Sequence, residues 1–333
     1  MEIIKYDQEK HFNLIKEIYS SYPDVIKIKI KELKKINSHN PFFKFGSLKN
    51  FLLSDNGKVV VHASAIIDSR LGKDLGLVGS FESINNPKYA EYIFVAISDY
   101  FKDQDKKFIR GPINLTTWQN WRISFPEGKL PFTVEPFTRE YYKDLFESYG
   151  FDVGQENITT ISNIDESGFK VFQGDFQKIR DEGFTIVNID KSNQEKSLEA
   201  VYEIIAQAFI DSWTFVKISI EEFIYNHTGS STMNALSYSC LILNKEKKAV
   251  AFCFAVKDNN QNDMVIIKTF AVKQEYQGRS IGKAMFYWVY QKAKLEKIKN
   301  LMFCTMRSDN TNILKLTQSK NIYRRYRVYQ KKI

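Results

Sequence analysis

The hydrophobic pattern of the chain repeats itself once. In the first half, apolar residues recur at helical spacing within residues 3–36 (Phe12, Leu14, Ile15, Ile18, Tyr19), which predicts one or two helices. Two apolar runs, 51–53 and 59–67, flank Ser54-Asp-Asn-Gly, a turn signal that predicts a hairpin. A strand at 75–81, a helix at 89–101, a strand at 107–110 broken by Gly111-Pro112, and a helix at 139–148 stopped by Gly150 follow. The second half predicts a strand at 184–187, a helix at 194–210 and a hairpin of 237–243 with 249–256 around Asn244-Lys-Glu-Lys. It ends with a strand at 264–272, a helix at 280–295, a strand at 300–306, a helix at 311–318 and a strand at 324–330. Polar residues 155–165 read as a strand and connector between the halves. Each half thus runs helix, hairpin, strand, helix, strand, helix. Two copies of one mixed α/β domain account for this order, divided into 1–165 and 166–333. The length of 333 residues, too great for one ordinary core, agrees.

Composition excludes several classes. Hydrophobic residues at 43% and charged ones at 26% describe a folded globular chain. No apolar run approaches the ~20 residues needed to cross a bilayer, and the acidic start lacks a signal peptide's pattern, so a cytoplasmic location is expected. Three scattered cysteines (Cys240, Cys253, Cys304) and four unpaired histidines give neither a disulfide framework nor a metal site. The net charge of +9 favours anionic partners, but the lysines are spread and no nucleic-acid module is visible.

The segment richest in chemistry joins the strand at 264–272 to the helix at 280–295. A small-residue loop opening a helix leaves backbone N–H groups without partners, and with the helix dipole these cradle an anion such as a pyrophosphate. Gly278 and Gly282 let phosphate oxygens approach the backbone, while Arg279 and Lys283 add charge beside it. Serine at position 280 is a residue type that starts helices well.

This segment resembles the acetyl-CoA signature of the GCN5-related N-acetyltransferase (GNAT) family, written Q/R-x-x-G-x-G/A. Gln277 fills its first position and Gly282 its last, and Ser280 replaces the middle glycine. Downstream, Asn310 stands where the family's helix-leading asparagine would, and the aromatic strand 323–329 fits as well. The resemblance implies that residues 277–283 (Gln277, Gly278, Arg279, Ser280, Ile281, Gly282, Lys283), with Asn310, hold acetyl-CoA or another acyl-CoA. It implies further that two central strands splay apart and that Phe270 and Val272 offer backbone groups to the pantetheine arm, the Phe270 N–H polarising the thioester carbonyl. Two departures stand out. The position of the family's tyrosine acid is Thr317, and no acid lies within 264–270 to act as base. Cys304, near the expected thioester, reads as a core residue with no basic neighbour to activate it.

The first half resembles the amino-terminal part of two-domain bacterial acetyltransferase-like proteins, through Pro41-Phe-Phe-Lys-Phe-Gly, Phe81-Glu-Ser-Ile-Asn-Asn-Pro and Arg110-Gly-Pro-Ile-Asn. Where a cofactor loop should stand it has Asn85-Asn-Pro-Lys-Tyr, without glycine and with Pro87 lacking an N–H. A degenerate copy without a CoA loop is expected. The aromatic stretch of Trp118, Trp121, Phe125, Phe132 and Phe137 reads either as core capping or as an apolar acceptor groove. Arg324 or Arg325 is a candidate for an anion such as a lipid headgroup or the CoA 3′-phosphate. The expected activity is transfer of an acyl group from acyl-CoA to a small-molecule or lipid amine, with peripheral membrane contact open. A non-catalytic acyl-CoA-binding protein is the alternative.

Overall fold

A computed structural model of the chain describes residues 1–165, 168–189, 194–227, 238–317 and 321–333. It begins with β1 (Glu2–Ile4), α1 (Gln8–Ile18), α2 (Pro23–Lys35), β2 (Gly46–Asp55), β3 (Lys58–Asp68) and β4 (Leu75–Ser83). Next come α3 (Pro87–Lys102), β5 (Phe108–Gly111), β6 (Ile123–Phe125), α4 (Tyr142–Ser148) and β7 (Asp152–Asn163). The second stretch contains α5 (Gln173–Asp181), β8 (Thr185–Asn188), α6 (Gln194–Ala208), α7 (Ile220–His227), β9 (Cys240–Leu243), β10 (Ala249–Lys257) and β11 (Met264–Val272). It closes with α8 (Ile281–Leu295), β12 (Asn300–Arg307), α9 (Thr311–Thr317) and β13 (Asn321–Lys332). The expected helical start at 3–36 begins instead with β1, which pairs antiparallel with β2. The expected hairpin start at Ser237, the helix end at Gln318 and the domain cut at 165/166 fall at or outside the bounds of the described residues.

Contacts divide the chain into two units. Unit 1 comprises Met1–Lys129, Pro136–Glu156 and Tyr326–Ile333; unit 2 comprises Leu130–Glu135 and Asn157–Arg325. This division is not linear in sequence. The chain's last strand pairs with β5 in unit 1 (Tyr329 opposite Gly111), whereas residues 157–163 of β7 pair with β12 in unit 2 (Ile161 opposite Met302). Unit 1 therefore completes its sheet with the far end of the chain, whereas unit 2 completes its sheet with the segment that opens its own main stretch.

Within each unit the central strands follow one plan. In unit 1, β2, β3 and β4 are antiparallel neighbours, and β4 runs parallel to β5 over Leu75–Leu77. In unit 2, β9, β10 and β11 are antiparallel neighbours, and β11 runs parallel to β12 over four positions, Met264 to Ile267. Each third strand carries a β-bulge. Ser80 and Phe81 oppose Ala63 alone in unit 1, and Lys268 is the extra residue in unit 2. Helix α8 covers one face of the second sheet because Ile281, Met285, Val289 and Ala293 recur every four residues and all are buried. Its neighbour Phe286 is fully buried and meets Phe270 and Phe303 at ring distances of 4.8 and 5.3 Å. Truncating such a ring to alanine costs ~3–5 kcal/mol. The aromatic stretch is not one groove. Phe125 joins the core under α3, Phe137 packs with Ile15, Tyr19 and Val25, and Phe132 packs in unit 2 with Met302 and Cys304. Among the described residues no helix is long and apolar enough to cross a membrane.

Candidate functional site

Pairing between β11 and β12 ends at Ile267 and Phe303, although β11 continues to Val272 and β12 to Arg307. Beyond that point β12 bulges: its register against β7 shifts between Phe303 and Met306, and Thr305 adopts φ +49°. The Thr305 N–H donates to Thr159 Oγ1 and its carbonyl accepts from Asn157 Nδ2, both at 3.1 Å, which ties β12 to β7. The parallel strands thus part at the end where the loop to α8 begins.

That loop makes a compact turn, Gln274–Tyr276, and enters α8 through two left-handed residues, Gly278 (φ +75°) and Ser280 (φ +65°). Glycine suits the first of these conformations; serine is strained in the second. Ser280 occupies the N-cap position, but its hydroxyl caps nothing. It serves as a stand-in for a glycine and not as a capping serine, which corrects the role its residue type suggested. The first helical bond here is from Ala284 N–H to the Ser280 carbonyl at 3.0 Å. The N–H groups of Gly278, Arg279, Ser280, Ile281, Gly282 and Lys283 have no acceptor among the described residues. Six successive donors thus stand open at the positive end of a fifteen-residue helix, where the helix dipole favours negative charge.

Gly282 is informative for what the protein does not require of it. Its φ is not positive, and a Cβ added there meets only Leu316 Cδ2 at 3.5 Å, an ordinary contact. Glycine in a helix costs up to ~1 kcal/mol relative to alanine, and no neighbouring protein atom requires it here. The Gln277 amide donates to the Val272 carbonyl at 3.2 Å and fastens the loop to the end of β11. One of the Val272 backbone groups, expected to be offered to the pantetheine arm, thus already has a protein partner. The Arg279 guanidinium stands over the Tyr276 ring at 5.6 Å, and Lys283 Nζ lies 3.7 Å from Asp175 and over the Phe172 ring.

The other expected residues have local tasks. Asn310 Oδ1 accepts from the Ile313 N–H at 3.2 Å and so caps α9. Thr317 is fully buried and returns its hydroxyl to the Leu314 carbonyl at 3.1 Å. Phe270 lies on the part of β11 that β12 has left, its ring against Phe286. Cys304 sits in a cluster with Met264, Ile266 and Met302, where burial pushes its thiol well above the ordinary range; Lys268 only partly offsets this. Such a thiol is not a nucleophile at neutral pH. Arg324 does not wait for an external anion. Its Nε lies 2.6 Å from Glu135 Oε1 with both side chains fully buried, and its Nη2 donates to the Leu130 carbonyl at 2.8 Å.

The matching region of unit 1 is built differently. Asn86 caps α3 by accepting from Lys88 N–H through its side chain and from Tyr89 N–H through its carbonyl, while Pro87 has no N–H. The donors of Asn86, Lys88, Tyr89 and Ala90 are all taken, so this turn presents no run of free N–H groups. Where β4 parts from β5, the chain itself fills the gap: Ile113 N–H donates to the Val78 carbonyl at 2.9 Å, and Asn114 Oδ1 accepts from Ser80 N–H at 2.7 Å. A Cβ at Gly79 would collide with the Ile113 carbonyl oxygen, so this backbone approach requires glycine.

Residues 198–319 match the model of the acetyltransferase (GNAT) family. The second half of the chain is thus similar to a GNAT domain. Solved structures extend the likeness to the whole chain. A tandem GNAT protein from the clavulanic acid biosynthesis pathway aligns with a TM-score of 0.57 over 99% of this chain and 98% of its own, at 9% identity. A GCN5-related N-acetyltransferase from Sphaerobacter thermophilus aligns with a TM-score of 0.53 over 99% and 95%, also at 9% identity. Protein YghO of Escherichia coli K12 is 21% identical across 94% of this chain and 90% of its own length. At such identities the structural likeness concerns the fold: two tandem GNAT-like domains, each with a mixed sheet. The parting of β11 and β12 and the loop into α8 both fall inside the matched GNAT region.

Proposed function

We propose that this protein is an acyl-CoA-dependent N-acyltransferase, with acetyl-CoA or another acyl-CoA held by the second GNAT domain at the start of α8. The observation that carries the reading is the run of six unpartnered N–H groups from Gly278 to Lys283, beside a glycine that no protein atom demands. These features suit a pyrophosphate: donors on successive amides, the helix dipole, and cations on Arg279 and Lys283. Bound acyl-CoA would supply an activated thioester carbonyl to a small-molecule or lipid amine. The chain's part would be to position that carbonyl along the strand end carrying Phe270 and Val272 and to stabilise developing negative charge with backbone donors. The first domain, with its capped α3 and filled strand gap, is read as a degenerate copy without a CoA loop.

Calorimetry with CoA tests the assignment. Gly282→Glu introduces a bulky anion where the protein has room for it, so the fold should survive while CoA binding is lost. Unchanged affinity would sink the assignment.

A second reading, an acyl-CoA-binding protein without catalysis, draws on one feature: the Thr317 hydroxyl is turned back to Leu314, and β11 from Met264 to Phe270 holds no carboxylate. Release of free thiol from acetyl-CoA in the presence of an amine panel separates the two. Binding without thiol release for any amine would favour the second.

A further inference from the structure

Unit 1 contains a cavity of about 400 Å³ that has no part in the CoA site. Its volume lies within the range of small-molecule sites, ~300–1,000 Å³. Its wall is aliphatic, from Leu33 and Ile36 at the end of α2 and Leu48 on β2, and its floor is polar, from Asn50, Ser64 and Ser80 on three adjacent strands. Exposed Ser38 stands at its rim.

The floor is an organised set of hydrogen-bonding groups. Ser80 is the left-handed residue of the β4 bulge (φ +47°). Its N–H is taken by Asn114 and its carbonyl by His62 Nδ1 at 2.7 Å, yet its hydroxyl, on a residue only 6% exposed, has no partner. A buried hydroxyl without a partner costs free energy, and strain on a non-glycine residue adds to that cost. Because the Ser80 carbonyl can only accept, His62 Nδ1 carries a proton. The other nitrogen, Nε2, meets the terminal atom of Asn50 at 3.1 Å, and the same atom lies 2.8 Å from Ser64 Oγ. His62 is fully enclosed, stacked at 3.6 Å on buried His11, and burial lowers its pKa to about 4. The ring is therefore neutral at pH 7, with Nε2 an acceptor. The shared Asn50 atom must then be the amide nitrogen, donating to both His62 and Ser64. This orientation leaves two hydroxyl donors, Ser64 and Ser80, and one acceptor, Asn50 Oδ1, to face the cavity. No charged side chain lines it among the described residues.

We propose that this cavity is a binding site for an uncharged small molecule that presents an amide- or hydroxyl-type group to the Asn50–Ser64–Ser80 floor and an apolar body to the aliphatic wall. A cation would meet no carboxylate there and an anion no cation, so charge is excluded by the cost of burying it unpaired. The site needs no CoA, and its fate is independent of the function proposed for the second domain.

Three probes of matched size test it: benzamide (neutral amide), benzylamine (cation) and benzoate (anion), titrated by calorimetry and ligand-observed NMR without CoA. Benzamide should bind at least about tenfold more tightly than either charged probe, since a charge there loses solvation without a partner. Ser38→Trp, at the exposed rim, should block it. Ser80→Gly should raise the melting temperature by relieving the left-handed strain while weakening benzamide by about fivefold or more through loss of a hydroxyl donor. CoA affinity should stay unchanged in both variants. Absence of saturable benzamide binding, equal or tighter binding of a charged probe, or undiminished binding in Ser80→Gly would each overturn the proposal.

Discussion

Ser280 offers a direct measure of how the loop into α8 is built. Its backbone lies at φ +65° and its side chain makes no capping bond, so the hydroxyl contributes little and the Cβ is strained. A left-handed L-residue costs ~1–2 kcal/mol, which glycine avoids. Glycine's extra unfolded-state freedom offsets ~0.5–1 kcal/mol of that relief. Ser280→Gly should therefore stabilise the protein by roughly 0.5–1 kcal/mol, a rise in melting temperature of about 1–4 °C for a domain of this size. Ser280→Ala keeps the Cβ and removes the hydroxyl, so its stability should match the parent within ~0.5 kcal/mol. Denaturant unfolding, followed by a signal from the second domain such as Trp288, reports both variants. CoA affinity should be retained in both, because the backbone donors stay in place. If Ser280→Ala costs ~1 kcal/mol or more and Ser280→Gly stabilises nothing, the serine is a working cap and the reasoning fails.

Other outcomes follow from the same geometry. Thr317→Ala should lower turnover by less than about tenfold, as expected for a neutral contact to Leu314; a loss of about a thousandfold with CoA affinity intact would assign chemistry to the threonine. Glu135→Gln leaves Arg324 buried beside a neutral group and should cost ~3–5 kcal/mol in urea unfolding, with Arg324→Met in the same chain recovering most of it. A cost below ~1 kcal/mol would mean that the pair is solvated. Acid should destabilise unit 1. His62 has a folded pKa of about 4, below the ordinary 6.5, so the unfolded state binds the extra proton and stability falls as pH drops from 6.5 towards 4, by ~3 kcal/mol at most. His62→Gln should flatten that slope, and an unchanged slope would refute the assignment. CoA should bind once per chain; two equivalent sites would contradict the reading of α3.

The sequence made the order of elements legible because long amphipathic helices and turn-bounded apolar runs carry their own periodicity. Helix α8 and the hairpins β2–β3 and β9–β10 are read correctly for that reason. The element β1, three residues long, is too short to show a period, and α5 and α7, nine and eight residues long, carry their stripes over only about two turns. The contact units escaped because pairing across hundreds of residues leaves no local mark: nothing in 326–333 announces β5 as its neighbour. Arg324 was partly legible. Residues 324, 326 and 328 alternate inward along β13, which places the arginine on the buried side, but its partner Glu135 stands in an irregular stretch that no pattern locates. The loop into α8 was read by residue type, so its glycines were found. The left-handed turn of Ser280 was not, since serine is common at helix starts for a different reason.

The two domains show why losing a cofactor loop is not a matter of glycines alone. Both third strands bulge, and both parallel pairs part soon after they form. In the second domain the loop beyond that point leaves six donors open. In the first, most of the corresponding groups have a protein partner: Asn86 caps α3, Ile113 takes the Val78 carbonyl, and Asn114 takes the Ser80 N–H. Backbone groups so satisfied gain little from an incoming ligand, because each new bond would replace an existing one and yield only the small difference between them. Grafting a glycine loop in place of Asn85-Asn-Pro would thus supply donors at α3 yet leave the strand gap closed by residues 113–114. What the first domain leaves without a partner is a different group, the buried Ser80 hydroxyl at the same bulge. One strand irregularity is thereby sealed on its backbone and left unsatisfied on its side chain.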